Sequence, residues 1–410
     1  MPVWLLALAT TLGMQSVASF LDLSLPIIAP LLTAGAGLAP ERIGNIASCN
    51  ALGTVLFLLF GGPLLARLGP VRMLQFGTIA AVIGLAIAAS GYWPVLVVAG
   101  TLMGMGYGPT PIAGNRILAA TAPPRHRTLI FSLKQAGAPL GGAFAGLILA
   151  PSAVALGWFW ALVLAMAIGL AACICLEPAR TRLDIEREPN RDISLRTLFD
   201  PAKVAVPFLV LKGSPQLLAI TGLAISFAAV QGSLFAFSVT YLVTDRGLPL
   251  ANAGFVYAAM QFCGVFARIF LGWLADRTGR PALNLTVQAF IGAGLLAAYS
   301  LLPIHPSLGL AAVTAGATGF ACASWNGIFM AEVARLAPPD RVIEATSSSV
   351  LTTFLGYLCG PSIFSALVSW SGYRTAFVAI AAQLAMMAAV QTAILVRRSL
   401  RHRSPVAAQR

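Results

Sequence analysis

Three ionisable side chains lie inside long apolar runs: Asp22, Lys134 and Arg268. Insertion of such a group at the centre of a membrane helix costs about 2.5–3.5 kcal/mol, which makes each a candidate for function. An arginine grips a carboxylate through two parallel hydrogen bonds, whereas a lysine acts as a point charge. The alternatives are structural. Arg268 can bond backbone carbonyls or a carboxylate, and Lys134 can extend its stem to the membrane surface. Asp22, four residues before Pro26, has three readings: a carboxyl that takes up a proton because burial raises its pKa, a fixed partner for one of the two cations, or polar lining. Softer candidates are Gln231, Trp325, Asn326 and the run Ser347 to Ser349. Inside spans, amides and serines bond neighbouring helices more often than ligands.

Other chemistries lack their residues. A nucleotide-driven pump needs G-x4-G-K-[ST], but the chain's three lysines (134, 203 and 212) follow Leu, Ala and Leu. Neither HExxH nor the G-x-S-x-G elbow of a hydrolase is present. His126, His305 and His402 fall in loops or the tail, and the six cysteines sit in apolar runs with no metal-ligand spacing. No enzyme activity, metal or cofactor is expected.

The chain that must position these groups is 58% hydrophobic and 10% charged, with a mean hydropathy of +0.86. Soluble proteins carry roughly 25% charged residues. A membrane helix needs about 20 apolar residues, so 410 residues accommodate about a dozen. Apolar runs between loop signals give twelve spans: 4–33, 43–66, 72–90, 94–119, 128–151, 154–176, 217–243, 251–274, 283–302, 307–336, 347–370 and 374–396. They are numbered 1 to 12 below. The start, Met1-Pro2-Val3-Trp4, has no basic region and runs into a stretch too long for a signal peptide, so span 1 is expected to be retained.

The net charge of +13 is a matter of topology. With both termini cytoplasmic, twenty of the 26 basic residues fall on the inner side, and only Arg42, Arg246 and Arg374 on the outer. No nucleic-acid partner is needed. One connection is long: residues 177–216 carry seven basic and six acidic residues and divide the spans six and six. The expected organisation is a six-helix bundle over 1–176, a cytoplasmic linker over 177–216, a second bundle over 217–396 and a basic tail over 397–410.

The halves repeat. Gly62-Pro-Leu-Leu-Ala-Arg-Leu-Gly69 follows span 2, and Gly272-Trp-Leu-Ala-Asp-Arg-Thr-Gly279 follows span 8, offset by 210. Ala122-Pro-Pro after span 4 matches Ala337-Pro-Pro after span 10, offset by 215. Parallel six-helix halves are a transporter architecture, with the substrate site at mid-membrane between the repeats.

Gly272-x-Leu274-x-Asp276-Arg277-x-Gly279-Arg280-Pro281 resembles the cytoplasmic loop signature of the major facilitator superfamily, and its diverged copy runs from Gly62 to Gly69. With the 6+linker+6 layout the resemblance covers the whole chain. It implies an all-α membrane fold, two pseudo-symmetric six-helix bundles rocking around a central cavity. It also implies a lipid-embedded monomer, in the cytoplasmic membrane if bacterial, that moves a small molecule against protons or a counter-substrate. Ala66 stands where the N-terminal copy should carry an acid, so Asp276 is expected to be the main acidic lock, opposite the start of span 5 near Thr128. Glu332 is placed to pair with Arg277 or Arg280, or to be a solvated acid.

The spacing Arg268-x3-Gly272-x3-Asp276 is similar to that of the family's monocarboxylate and oxalate exchangers, where the arginine helps hold the anion. The fold resemblance sets spans 5 and 8 face to face, which brings Lys134 and Arg268 to matching depth beside the cavity with an anion between them. Organic-anion transport is therefore the leading expectation. Efflux of lipophilic compounds is the alternative, because Gly137-Ala-Pro139-Leu-Gly141-Gly142 partly resembles the antiporter signature with its proline one place late.

Overall fold

The computed structural model describes residues 2–123, 126–184, 187, 188, 190, 214–337 and 341–403. The expected linker and tail lie mostly outside the described residues. Among the described residues, eleven helices are long and apolar enough to cross a membrane. One of them, Ala345–Arg397, is interrupted at Gly372, where φ is 81°, and so comprises spans 11 and 12. The fold is an all-α bundle of twelve crossings in two six-helix halves.

Several crossings break near mid-depth. Span 1 divides into Val3–Asp22 and Ser24–Gly35, and span 4 into Trp93–Tyr107 and Pro109–Thr121. Span 5 divides into Arg127–Gln135 and Gly137–Leu156, and span 10 into Leu308–Cys322 and Asn326–Leu336. Prolines account for three of these breaks. Pro26, Pro111 and Pro139 lack the N–H that would bond four residues back, which strips the carbonyls of Asp22, Tyr107 and Gln135 of their helical donor. Such a carbonyl inside a membrane must find another partner or water.

The halves meet most closely at one end. There Ser362 donates its backbone N–H to Ser48 Oγ at 3.1 Å, and Ser365 Oγ donates to the Glu41 carbonyl at 2.7 Å. Deeper along spans 5 and 8, backbones meet: a Cβ on Gly146 would lie 2.5 Å from the Gly254 carbonyl oxygen. Glycine is required at this crossing because the approach leaves no room for a side chain. At the opposite end, where the signature loops lie, a cavity of about 1890 Å³ opens between the halves.

Both signature loops turn at glycines with positive φ, Gly69 at 90° and Gly279 at 61°. In the first, an acid occupies the corner that Ala66 leaves bare. Asp184, just past span 6 (Trp158–Leu183), accepts the N–H of Val71 at 2.7 Å and of Arg72 at 3.2 Å. It caps span 3 (Pro70–Ala88), where an anion meets the positive helix end. Burial pushes its carboxyl above the ordinary range, against the pull of the two backbone donors.

Candidate functional site

Arg268 is the cation that the structure places in the cavity wall. Its Nη1 donates to the Gln135 carbonyl at 2.7 Å and its Nη2 to the Ala323 carbonyl at 3.3 Å. Both acceptors sit at helix breaks, the first freed by Pro139 in span 5 and the second where span 10 unwinds before Asn326. One guanidinium thus satisfies backbone in both halves, the structural role anticipated as its alternative. Nε has no partner among the described residues, and two N–H bonds stay uncommitted on the Nη atoms, since the fork carries five donors.

Lys134 is not beside it. Its side chain is fully buried in the N-terminal half, and it does not line the cavity. Nζ lies 3.4 Å from Asn115 Oδ1, and Cε packs against Gly114, where a Cβ would come within 2.7 Å. The expectation of two cations facing one anion fails because the break after Gln135 leaves Lys134 turned into its own bundle, with Gly114 supplying the slot.

Asp22 does line the cavity, at the last residue before the break in span 1. Asn50 Nδ2 donates to its Oδ1 at 2.6 Å. Among the described residues Asp22 has no ion pair, so neither Lys134 nor Arg268 is its fixed partner.

On the C-terminal wall Gln231 and Asn326 reach the cavity, but Trp325 lies one layer behind. Its indole N–H donates to Gln231 Oε1 at 2.9 Å, and its ring stacks on Phe227 at 5.8 Å. Tyr357 donates its hydroxyl to the same Gln231 oxygen at 3.0 Å. With two donors on Oε1, Gln231 is held rigidly. Two tyrosines that the sequence reading passed over belong to the wall: Tyr357, and Tyr107, whose oxygen accepts from Gln15 Nε2 at 3.0 Å. Tyr107 precedes the break at Gly108, so the proline spacing was the signal available for it.

At the open end Gly62, Gly272 and Asp276 line the cavity. Asp276 is exposed and has no hydrogen bond or ion pair among the described residues; the side chain of Thr128 lies outside them. Arg277 stacks over the Trp273 ring at 5.4 Å, and Arg280 precedes the next helix, Pro281–Ser300. Glu332 pairs with neither. It is buried and held by Arg335, with Nε to Oε2 at 2.8 Å and Nη2 to Oε1 at 2.6 Å. Its helical neighbour at i+3 reaches it without crossing to another span.

A wall with one arginine, the carboxylates of Asp22 and, at the open end, Asp276, amides and phenols is built to hold a polar solute. Among the described residues no cluster of metal ligands is found.

Comparison with known proteins agrees with this architecture. The family profile of the Major Facilitator Superfamily matches residues 3–331. A hexuronate transporter of Bacillus subtilis (strain 168) is 24% identical over 409 residues, covering 94% of this chain and 93% of that protein. The 4-hydroxybenzoate transporter PcaK of Pseudomonas putida is 26% identical over 371 residues, covering 84% and 80%. Among solved structures, a bacterial homologue of the human lysosomal transporter Spinster, inward-facing and unoccupied, superposes with a TM-score of 0.73 at 18% identity, over 95% of this chain and 96% of that one. The nucleoside transporter NupG gives 0.76 at 16%, over 94% and 99%. Twelve crossings in two halves, a solute cavity between them and a profile spanning most of the sequence lead to one assignment: the chain belongs to the Major Facilitator Superfamily and is a multi-pass membrane transporter, not an enzyme.

Proposed function

We propose that this transporter moves small organic anions by alternating access, with Arg268 as the residue that receives the carboxylate. The observation that carries the reading is an arginine in the cavity wall with uncommitted N–H donors and no acid paired to it among the described residues. Two relatives whose names specify hexuronate and 4-hydroxybenzoate, both carboxylates, support it. Asp22 carries the coupling proton, because it is the cavity carboxylate of the N-terminal half and has only an amide for a partner. Gln231, Asn326 and Tyr357 orient the solute. The bundles extend over 1–176 and 217–396 around a cytoplasmic linker, and both termini face the cytoplasm across the inner membrane. Asp276 closes the inner end.

The test is thermal stability of the purified protein with a panel of carboxylates, including 4-hydroxybenzoate and a hexuronate, and a panel of hydrophobic cations. A ligand that binds the folded state alone raises the melting temperature. Stabilisation by carboxylates supports the reading; stabilisation by hydrophobic cations alone overturns it.

A further inference from the structure

Arg268 and Asp22 line one cavity from opposite halves, and neither is neutralised there. Arg268 bonds only neutral carbonyls, and Asp22 only an amide. Apolar wall lies around them, including Leu23, Met103 and Phe235. A solute with a carboxylate and nothing else would satisfy Arg268 and leave Asp22 as an unmatched like charge, which disfavours binding.

We propose that the site selects bipolar substrates: carboxylates that also bear a hydroxyl, the carboxylate on Arg268 and the hydroxyl on Asp22. This rests on the anion reading above and narrows it. Asn50 occupies Oδ1 of Asp22, and Oδ2 carries no hydrogen bond among the described residues. A hydroxyl suits this carboxyl in both protonation states, because it donates to the ionised form and accepts from the protonated form. An ammonium suits only the ionised form. The two ends of such a solute touch different halves, so a substrate with both ends bridges the bundles, and one without the hydroxyl holds the C-terminal half alone.

Two pairs of probes test this by calorimetry on the full-length protein: 4-hydroxybenzoate against benzoate, and glucuronate against cyclohexanecarboxylate. In at least one pair the hydroxylated member should bind about tenfold or more tightly, since a site built to hydrogen-bond a hydroxyl rejects the analogue lacking it. The wild type provides a second check with 4-methoxybenzoate, which keeps the oxygen and loses the donor; it should rank with benzoate at a pH where Asp22 is ionised. Asp22→Ala should collapse the ratio towards one, while Asp22→Asn, which keeps an acceptor oxygen, should retain part of it. Equal binding within both pairs, or an undiminished ratio in Asp22→Ala, overturns the bipolar assignment and leaves anion transport standing. No binding by any of the four acids removes the anion reading, and this inference with it.

Discussion

Arg268 in span 8 donates to the backbone carbonyl of Gln135 in span 5 at 2.7 Å. The acceptor exists because Pro139, four residues on, cannot supply the helical N–H. A proline in one half thus creates the bond that a cation from the other half makes. On the proposed reading, a carboxylate bound to the uncommitted N–H donors would share one guanidinium with the Gln135 carbonyl, which links occupancy of the cavity to the contact between spans 5 and 8.

Arg268→Lys keeps the charge but loses the planar fork that spans the Gln135 and Ala323 carbonyls. Carboxylate affinity should fall about tenfold or more, and Arg268→Met should lose more again, because a charged hydrogen bond contributes about 1.5–3 kcal/mol. Calorimetry on purified protein reads both. Wild-type affinity in Arg268→Met would remove the arginine from the site.

Pro139→Ala restores the N–H that can bond the Gln135 carbonyl and so close the break between Gln135 and Gly137. The melting temperature should hold or rise while transport falls, since span 5 loses its bend and Arg268 its acceptor. Proteoliposome uptake beside a melting curve checks the two together.

Lys134 should matter for folding more than for ligand. Gly114→Ala puts a methyl 2.7 Å from Lys134 Cε, and overpacking of this kind costs about 1–3 kcal/mol. Shortening the neighbour relieves it: Gly114→Ala with Lys134→Met should be less destabilised than the sum of the single changes. Melting curves of the three variants measure the coupling.

Asp184→Ala should cost about 0.5–2 kcal/mol, as loss of a helix N-cap does, because the Val71 and Arg72 amides lose their acceptor. Asp184→Asn keeps one acceptor oxygen and should retain part of the stability. Equal melting temperatures for wild type and Asp184→Ala would show that the corner contributes nothing.

Orientation is tested with single cysteines at Arg187 and Ile304, both exposed and at opposite ends of the bundle. An impermeant maleimide applied to intact cells should label the Ile304→Cys variant and spare Arg187→Cys. The reverse pattern would invert the topology.

Hydropathy made the spans and the six-and-six division legible, because a lipid-facing helix must be apolar along its whole length. The loop copies revealed the repeat. What was hidden is the direction in which side chains point past a break. Lys134 precedes Gln135, the last residue before the break in span 5, and it is turned from the cavity. Trp325 lies where span 10 unwinds without a proline to announce it, and it points at Gln231. Glu332 is different: Arg335 at i+3 was readable from spacing alone, and the longer-range partners Arg277 and Arg280 were favoured over it. The carbonyls freed four residues before Pro26, Pro111 and Pro139 were also readable, and they point to Asp22, Tyr107 and Gln135, three residues of the cavity wall.

The closed end of the bundle is made from glycine backbones and two serine hydrogen bonds, and among the described residues no ion pair joins the halves there. Dispersion contacts decay within about an ångström of separation, whereas exposed charges act over a Debye length of about 8 Å in physiological salt. This end therefore holds fully or not at all, and ionic strength has little purchase on it. The opposite end is ringed by arginines and by Asp276, so salt acts there. The two ends of this bundle answer to different properties of the solution: one to the fit of backbone against backbone, the other to the ions in the water that enters the cavity.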